Sequence, residues 1–157
     1  MGLKILIQGL GEVPAPAVYA IEKERPAVTY ILSNEFLLDK IPPTKEYKRP
    51  NRETIERAAK KFKTKVVWEI CDIFDVSSVA EAVGKILKQI KPRDEVVINY
   101  TGGPANVKLL LGICGVFLSK IMNVKLIYAL RYKGGTEVYK VQTDELRAIW
   151  DELSKLV

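Results

Sequence analysis

The sequence predicts an α/β fold in which a mostly parallel β-sheet lies between two layers of helices and ends in an antiparallel hairpin strand. Three observations carry that expectation. Short β-branched runs alternate with segments of helical periodicity, the pattern that right-handed βαβ crossovers leave in a sequence. Gly, Pro or a capping residue punctuates the connections. The last two strand-like runs are joined by a short "KGG" turn that cannot make a crossover, so those two strands run antiparallel.

Each element has its own reason. "LKILIQG" (3–9) is a mostly apolar first strand, and "LGEVPAP" leads into a helix-like "AVYAIEKE" (17–24). Pro14 and Pro16 suit that helix start, where a missing N–H costs nothing. "AVTYILS" (27–33) is a β-branched and aromatic second strand. Residues 34–50 hold three prolines and alternating charges, which predicts a long loop of the kind that often serves as a lid. Asn51 is expected to cap a helix over "RETIERAAKKFK", and "KVVWEI" (65–70) follows as the third strand. Val76, Val79, Val83, Ile86 and Ile90 trace one face of a helix over 76–90, which Pro92 ends. "EVVIN" (95–99) is the fourth strand, followed by a helix over about 104–121 and a fifth strand, "VKLIYALRY" (124–132). "TEVYKVQ" (136–142) is the hairpin strand, and a terminal helix spans 143–156 with Thr143 as its N-cap. At 157 residues, with no internal repeat or low-complexity tract, the chain reads as a single domain over 1–157. The expected architecture is a Rossmann-like three-layer sandwich.

Composition narrows the chemistry. Hydrophobic residues at 48% and charged residues at 28% fit a globular protein with an ordinary core. The longest apolar run, Val107 to Leu118, contains Lys108 and two glycines and falls short of the ~20 residues that span a bilayer. The N-terminus lacks a signal-peptide pattern, and Gly2 lacks the Ser or Thr at position 6 that myristoylation needs. A cytoplasmic location without membrane attachment is expected. There is no histidine, and the two cysteines, Cys71 and Cys114, lie in apolar surroundings, so a zinc site and every imidazole-based mechanism drop out. The net charge of +6 and the pI near 9.2 fit an anionic ligand, although Lys/Glu-rich surfaces also arise from thermal adaptation.

With strands ordered 3-2-1-4-5, the first and fourth strands are neighbours whose helices leave to opposite faces, and the crevice between them is the usual ligand site. Both glycine loops follow those strands: "QGLGEVP" after the first and "NYTGGPA" after the fourth. Gly9, Gly11, Gly102 and Gly103 would let a ligand approach backbone N–H groups, and a helix starting near Pro104 would offer its N-terminal amides to an anion. Asn99 and Thr101 could add hydrogen bonds, and Asn106 lies in the first helical turn. The competing reading is that these are the tight strand-to-helix turns any such fold requires.

Other motifs are weaker. "GLGEVP" has the first two glycines of the dinucleotide fingerprint, but Pro14 replaces the third, and the position expected to be acidic is Asn34 or Glu35. Neither loop ends in Gly-Lys-Ser/Thr, which argues against a P-loop. Glu69, Asp72 and Asp75 could hold a metal, but such spacing also marks a strand end and a helix cap. The apolar helix 107–118 fits either a sandwiched core helix or a homodimer interface.

The fourth-strand loop resembles the Asn-x-Thr-Gly-Gly-Thr-Lys signature of CRISPR-associated Rossmann-fold (CARF) domains, and "GLGEVPAPAVYAI…ERPAVTYILS" resembles that family's N-terminal pattern over a likeness that spans the chain. The resemblance implies a homodimer that binds a cyclic oligoadenylate second messenger of CRISPR antiviral signalling, most plainly the tetramer, across its two-fold axis. It places Asn99, Thr101, Gly102 and Gly103 on one ligand loop and Gly9, Leu10, Gly11 and Glu12 on the other; Asn34, Pro104, Ala105 and Asn106 complete the expected ligand-binding set. The family's Thr-Lys is Pro104-Ala105 here, and Lys108, one helical turn on, stands as its substitute. Cleavage of such a ring, as in a ring nuclease, needs neither metal nor histidine, because a ribose 2′-OH can attack its own phosphate if held in line. Thr101 and Lys108 are the residues expected to assist it. No cofactor is expected, and the choice between ring nuclease, pure sensor and sensory part of a longer protein stays open. Two other classes remain: a Rossmann-like enzyme with a mononucleotide or dinucleotide cofactor, and a nucleic-acid-binding module. For the latter, no recognition helix or aromatic stacking platform is evident in the sequence, so long nucleic acid is not the expected partner.

Overall fold

Six strands form one sheet in the order β3-β2-β1-β4-β5-β6. The computed structural model describes residues 2–131 and 135–157. In chain order the elements are β1 (Lys4–Gly9), α1 (Ala15–Glu24), β2 (Val28–Ser33), α2 (Glu35–Asp39), α3 (Asn51–Lys61), β3 (Lys65–Ile70), α4 (Val76–Leu87), β4 (Glu95–Asn99), α5 (Ala105–Leu118), β5 (Val124–Arg131), β6 (Glu137–Val141) and α6 (Thr143–Ser154). Tyr132, expected at the end of β5, and Lys133 and Gly134 of the expected turn lie outside the described residues. The first five strands pair in parallel, and β6 pairs antiparallel to β5, with Ala129 opposite Tyr139. This is the Rossmann-like architecture expected from the alternation of elements.

Side-chain alternation along β1 divides the core in two. Ile5 and Ile7 point to the face covered by α4 and α5, where they join Val79, Val83, Val107 and Leu111. Leu6 points to the other face and packs with Ala17, Ala20, Ile21, Ile55 and Ala59 of α1 and α3. The helices that follow β1 and β4 thus leave to opposite sides, and a crevice opens at the carboxyl ends of those two strands. At the opposite end Asp94, which is buried, accepts hydrogen bonds from the N–H groups of Leu3 (2.9 Å) and Lys91 (2.8 Å), fixing the entry to β4 beside the start of β1.

Three local expectations need correction. The segment after β2 is not all loop: Glu35–Asp39 forms the short helix α2, capped by Asn34, whose Oδ1 accepts from Leu37 N at 2.9 Å. A five-residue helix is too short to show periodicity, so the prolines and charges beyond it dominated the pattern. Asn51 does not cap α3 but is its first residue. Its buried amide instead donates to the carbonyls of Leu37 (2.8 Å) and Glu12 (3.3 Å), stitching α3 to the loop after β1. Thr143 likewise opens α6 rather than capping it, and its hydroxyl accepts from Leu126 N at 2.9 Å.

Candidate functional site

The crevice is built from the sheet outward. Gln8 and Asn99 are cross-strand partners at the ends of β1 and β4, and both are fully buried. Burial of two amides requires partners, and they are supplied. Asn99 Nδ2 donates to Gln8 Oε1 (3.0 Å) and to the Pro16 carbonyl (3.3 Å), while Gln8 Nε2 donates to Thr29 Oγ1 (3.2 Å). Asn99 Oδ1 accepts from Thr101 N (3.0 Å), and Thr101 Oγ1 accepts from Ala129 N (2.8 Å). The loop after β4 is therefore tied to β1, to the start of α1 and to β5. Asn99 is the hub that shapes the loop from below.

The glycines explain how closely the two loops meet. A methyl at Gly9 would come within 2.5 Å of Val107 Cγ1 and 2.8 Å of the Gly102 carbonyl. A methyl at Gly102 would lie 2.6 Å from the Gly9 carbonyl oxygen, and one at Gly11 would lie 3.3 Å from Gly103 N. Gly103 has φ of 99°, a region L residues rarely adopt. The loops thus stack backbone on backbone at Gly9 and Gly102. Gly11 and Gly103, one step further out, form the floor of a cleft of about 400 Å³.

Four loops enclose that cleft. Gly11, Glu12, Val13 and Pro16 come from the loop after β1, and Thr101 to Pro104 with Lys108 come from the loop after β4 and the first turn of α5. Of the other wall only Asn34 was singled out in the sequence; Phe36 and Leu37 also follow β2, and Ile73 and Phe74 follow β3. Of the expected site residues, Gly11, Glu12, Asn34, Thr101, Gly102, Gly103, Pro104 and Lys108 line the cleft. Gly9, Leu10 and Asn99 lie buried beneath it, Ala105 is exposed beside it, and Asn106 Nδ2 donates to the Ile73 carbonyl (3.3 Å), joining α5 to the far wall. Gln8, unmarked in the sequence because it reads as an ordinary strand residue, is the second half of the buried amide pair.

The charges and donors suit an anion. α5 starts at the cleft with Pro104 in the cap position and no side-chain cap on its first amides, so its N-terminal partial charge has no side-chain acceptor there. Lys108 stands exposed one turn on. Glu12 is paired with Lys40, whose ammonium also lies 5.7 Å from the centroid of the Phe36 ring. Neither cysteine offers a thiolate at neutral pH. Burial pushes the Cys114 thiol up, and burial followed by Asp72 and Glu69 does the same to Cys71. The acidic set after β3 has local roles: Asp72 Oδ1 accepts from Phe74 N, and Asp75 caps α4 through Ser77 N, each at 3.0 Å. Among the described residues no group of three or more Cys, Asp or Glu side chains is placed to hold a metal, and no helix is long and apolar enough to cross a membrane.

No family model matches the sequence, and no curated protein is similar to it in sequence. Solved structures do share its fold. Csm6 of Enterococcus italicus, bound to cyclic hexa-2′-fluoro-hexa-dAMP, superposes with a TM-score of 0.61 at 14% identity over 98% of this chain and 39% of its own. Can2 of Sulfobacillus thermosulfidooxidans, in complex with cyclic tetra-adenylate, gives a TM-score of 0.58 at 15% identity over 86% of this chain and 36% of its own. Protein VC1899 of Vibrio cholerae gives 0.52 at 13% identity over 86% and 35%. The chain thus has the CARF-like fold that its two loops resemble, and it spans between a third and two fifths of the length of these chains.

Proposed function

We propose that this chain is a CARF-like domain, one domain over 1–157, that acts in the cytoplasm as a homodimer binding cyclic oligoadenylate, the tetramer first. The observation that carries the reading is the cleft where the glycine loops after β1 and β4 meet the uncapped start of α5 and Lys108. Two structures of the same fold, Csm6 and Can2, were solved with cyclic oligonucleotides bound. A cleft of about 400 Å³ lies at the low end of the roughly 300–1,000 Å³ that holds a drug-sized ligand, so it accommodates only part of a four-nucleotide ring. A second copy supplies the rest.

The surface for that copy adjoins the cleft. Leu109, Ile113, Phe117 and Ile121 follow one another at four-residue intervals, and all are exposed. Ile149, Trp150 and Leu153 of α6 extend them into an apolar groove. Lys108 lines both groove and cleft, so a partner seated on α5 brings its own cleft alongside. A contiguous exposed apolar surface of this kind marks an interaction site.

Slow cleavage of the ring is the second part of the proposal. The ribose 2′-hydroxyl attacks the adjacent phosphorus, so that a P–O2′ bond forms, the P–O5′ bond breaks and a 2′,3′-cyclic phosphate results. The proton lost by the 2′-hydroxyl passes to water, and the departing 5′-oxygen takes one from water. Lys108 would stabilise charge on the phosphate. Thr101, whose hydroxyl accepts from Ala129 N, keeps its own proton free to donate. Incubation of labelled ring with protein and EDTA tests this step: slow linearisation, further slowed by Lys108→Ala, is expected, whereas unchanged ring over hours leaves a sensor only.

A further inference from the structure

The cleft has a polar half and an aromatic half. Phe36 is 71% exposed and Phe74 is 77% exposed, and both line the cleft opposite the glycine loops. Each stands beside an anchored neighbour, since Leu37 is 7% exposed and Ile73 is 1% exposed. Their backbones are held as well. α2 is capped by Asn34, Phe74 N donates to Asp72 Oδ1, and Asn106 ties the Ile73 carbonyl to α5. Two large rings are thus presented to water by fixed, hydrogen-bonded segments at the wall of one cleft. Single exposed apolar residues are ordinary on a protein surface; a pair on one ligand wall is not.

We propose that Phe36 and Phe74 are stacking platforms for nucleobases, and that they make the cleft select ligands carrying both a phosphate and a flat aromatic face. This deepens the ring-binding reading and rests on it. The polar half takes phosphate through backbone amides and Lys108, which by themselves would also hold inorganic phosphate or a sugar phosphate. The aromatic half supplies the discrimination. Lys40, 5.7 Å from the centroid of the Phe36 ring and paired with Glu12, offsets the Glu12 carboxylate that lines the cleft. Stacking tolerates any base, so these platforms contribute affinity for the nucleoside in general, and adenine is read elsewhere.

The test compares wild type with Phe36→Leu, Phe74→Leu, Phe36→Trp and Phe74→Trp in titrations with cyclic tetra-adenylate at several salt concentrations. Each Leu variant should bind about five- to one-hundred-fold more weakly. The Trp variants should bind within about two-fold of wild type, and the salt dependence should not change, because no cation has been removed. Lys108→Ala, in contrast, should flatten the salt dependence. Leu variants that bind within two-fold, or that change the oligomeric state, overturn the platforms. If wild type binds no ring, the ring reading itself fails, and the platforms are then judged with millimolar AMP by NMR. Upfield ring-current shifts of the adenine protons that vanish in the doubly substituted Leu variant uphold them, and absence of shifts in wild type overturns them.

Discussion

At the residue scale, the glycines of the two loops have different jobs. Gly9 and Gly102 let the loops meet most tightly, whereas Gly11 and Gly103 touch more loosely and, with Gly102, line the cleft. Gly102→Ala forces a methyl to within 2.6 Å of the Gly9 carbonyl, so it should destabilise the fold by about 1–3 kcal/mol and spread the cleft. Gly84→Ala, in the interior of α4 with nothing within 4 Å of the new methyl, should instead stabilise by about 0.5–1 kcal/mol. Urea unfolding of the two variants reads the opposite signs directly. Asp94 gives a pH signature. The N–H groups of Lys91, then Leu3, hold its carboxyl below the usual carboxylate range. A depressed folded pKa means the stabilisation is fully present above the unfolded value of about 4 and fades as pH falls through the folded value. Asp94→Ala should therefore cost about 1–3 kcal/mol at pH 7, with the gap from wild type closing below about pH 4.

At the element scale, α5 joins the cleft to the apolar groove. Its inner face buries Val107, Leu111 and Val116, while Leu109, Ile113 and Phe117 remain outside. One side of the helix is core, and the other is exposed beside α6. Ile113→Glu should convert the proposed dimer to a monomer with its helical circular dichroism intact, as light scattering would report; a dimer of unchanged mass removes this face from the interface. Most elements were legible because their signals are local, in β-branched runs, helical periodicity and Pro or Gly stops. The same holds for the glycine loops and the strand order that brings them together. α2 was hidden by its shortness, and Asn51 mimicked a cap because its tertiary partners, Leu37 and Glu12, are distant in sequence. Phe36, Phe74 and Gln8 could not be picked out. The importance of the two rings depends on four loops converging at the carboxyl end of the sheet, and that of Gln8 on its cross-strand partner Asn99, which no local pattern encodes.

At the scale of the whole molecule, the proposed function links three features: a basic chain, a cleft at the switch between β1 and β4, and an apolar helix face that runs on from that cleft. On the proposed reading they form half of a symmetric binding site, which a second copy and a two-fold ligand would complete. Calorimetric titration of the chain with cyclic tetra-adenylate probes that description most directly. Exothermic or endothermic binding with one ring per two chains is expected, and an absence of heat at tens of micromolar, with either the tetramer or the hexamer, would contradict it.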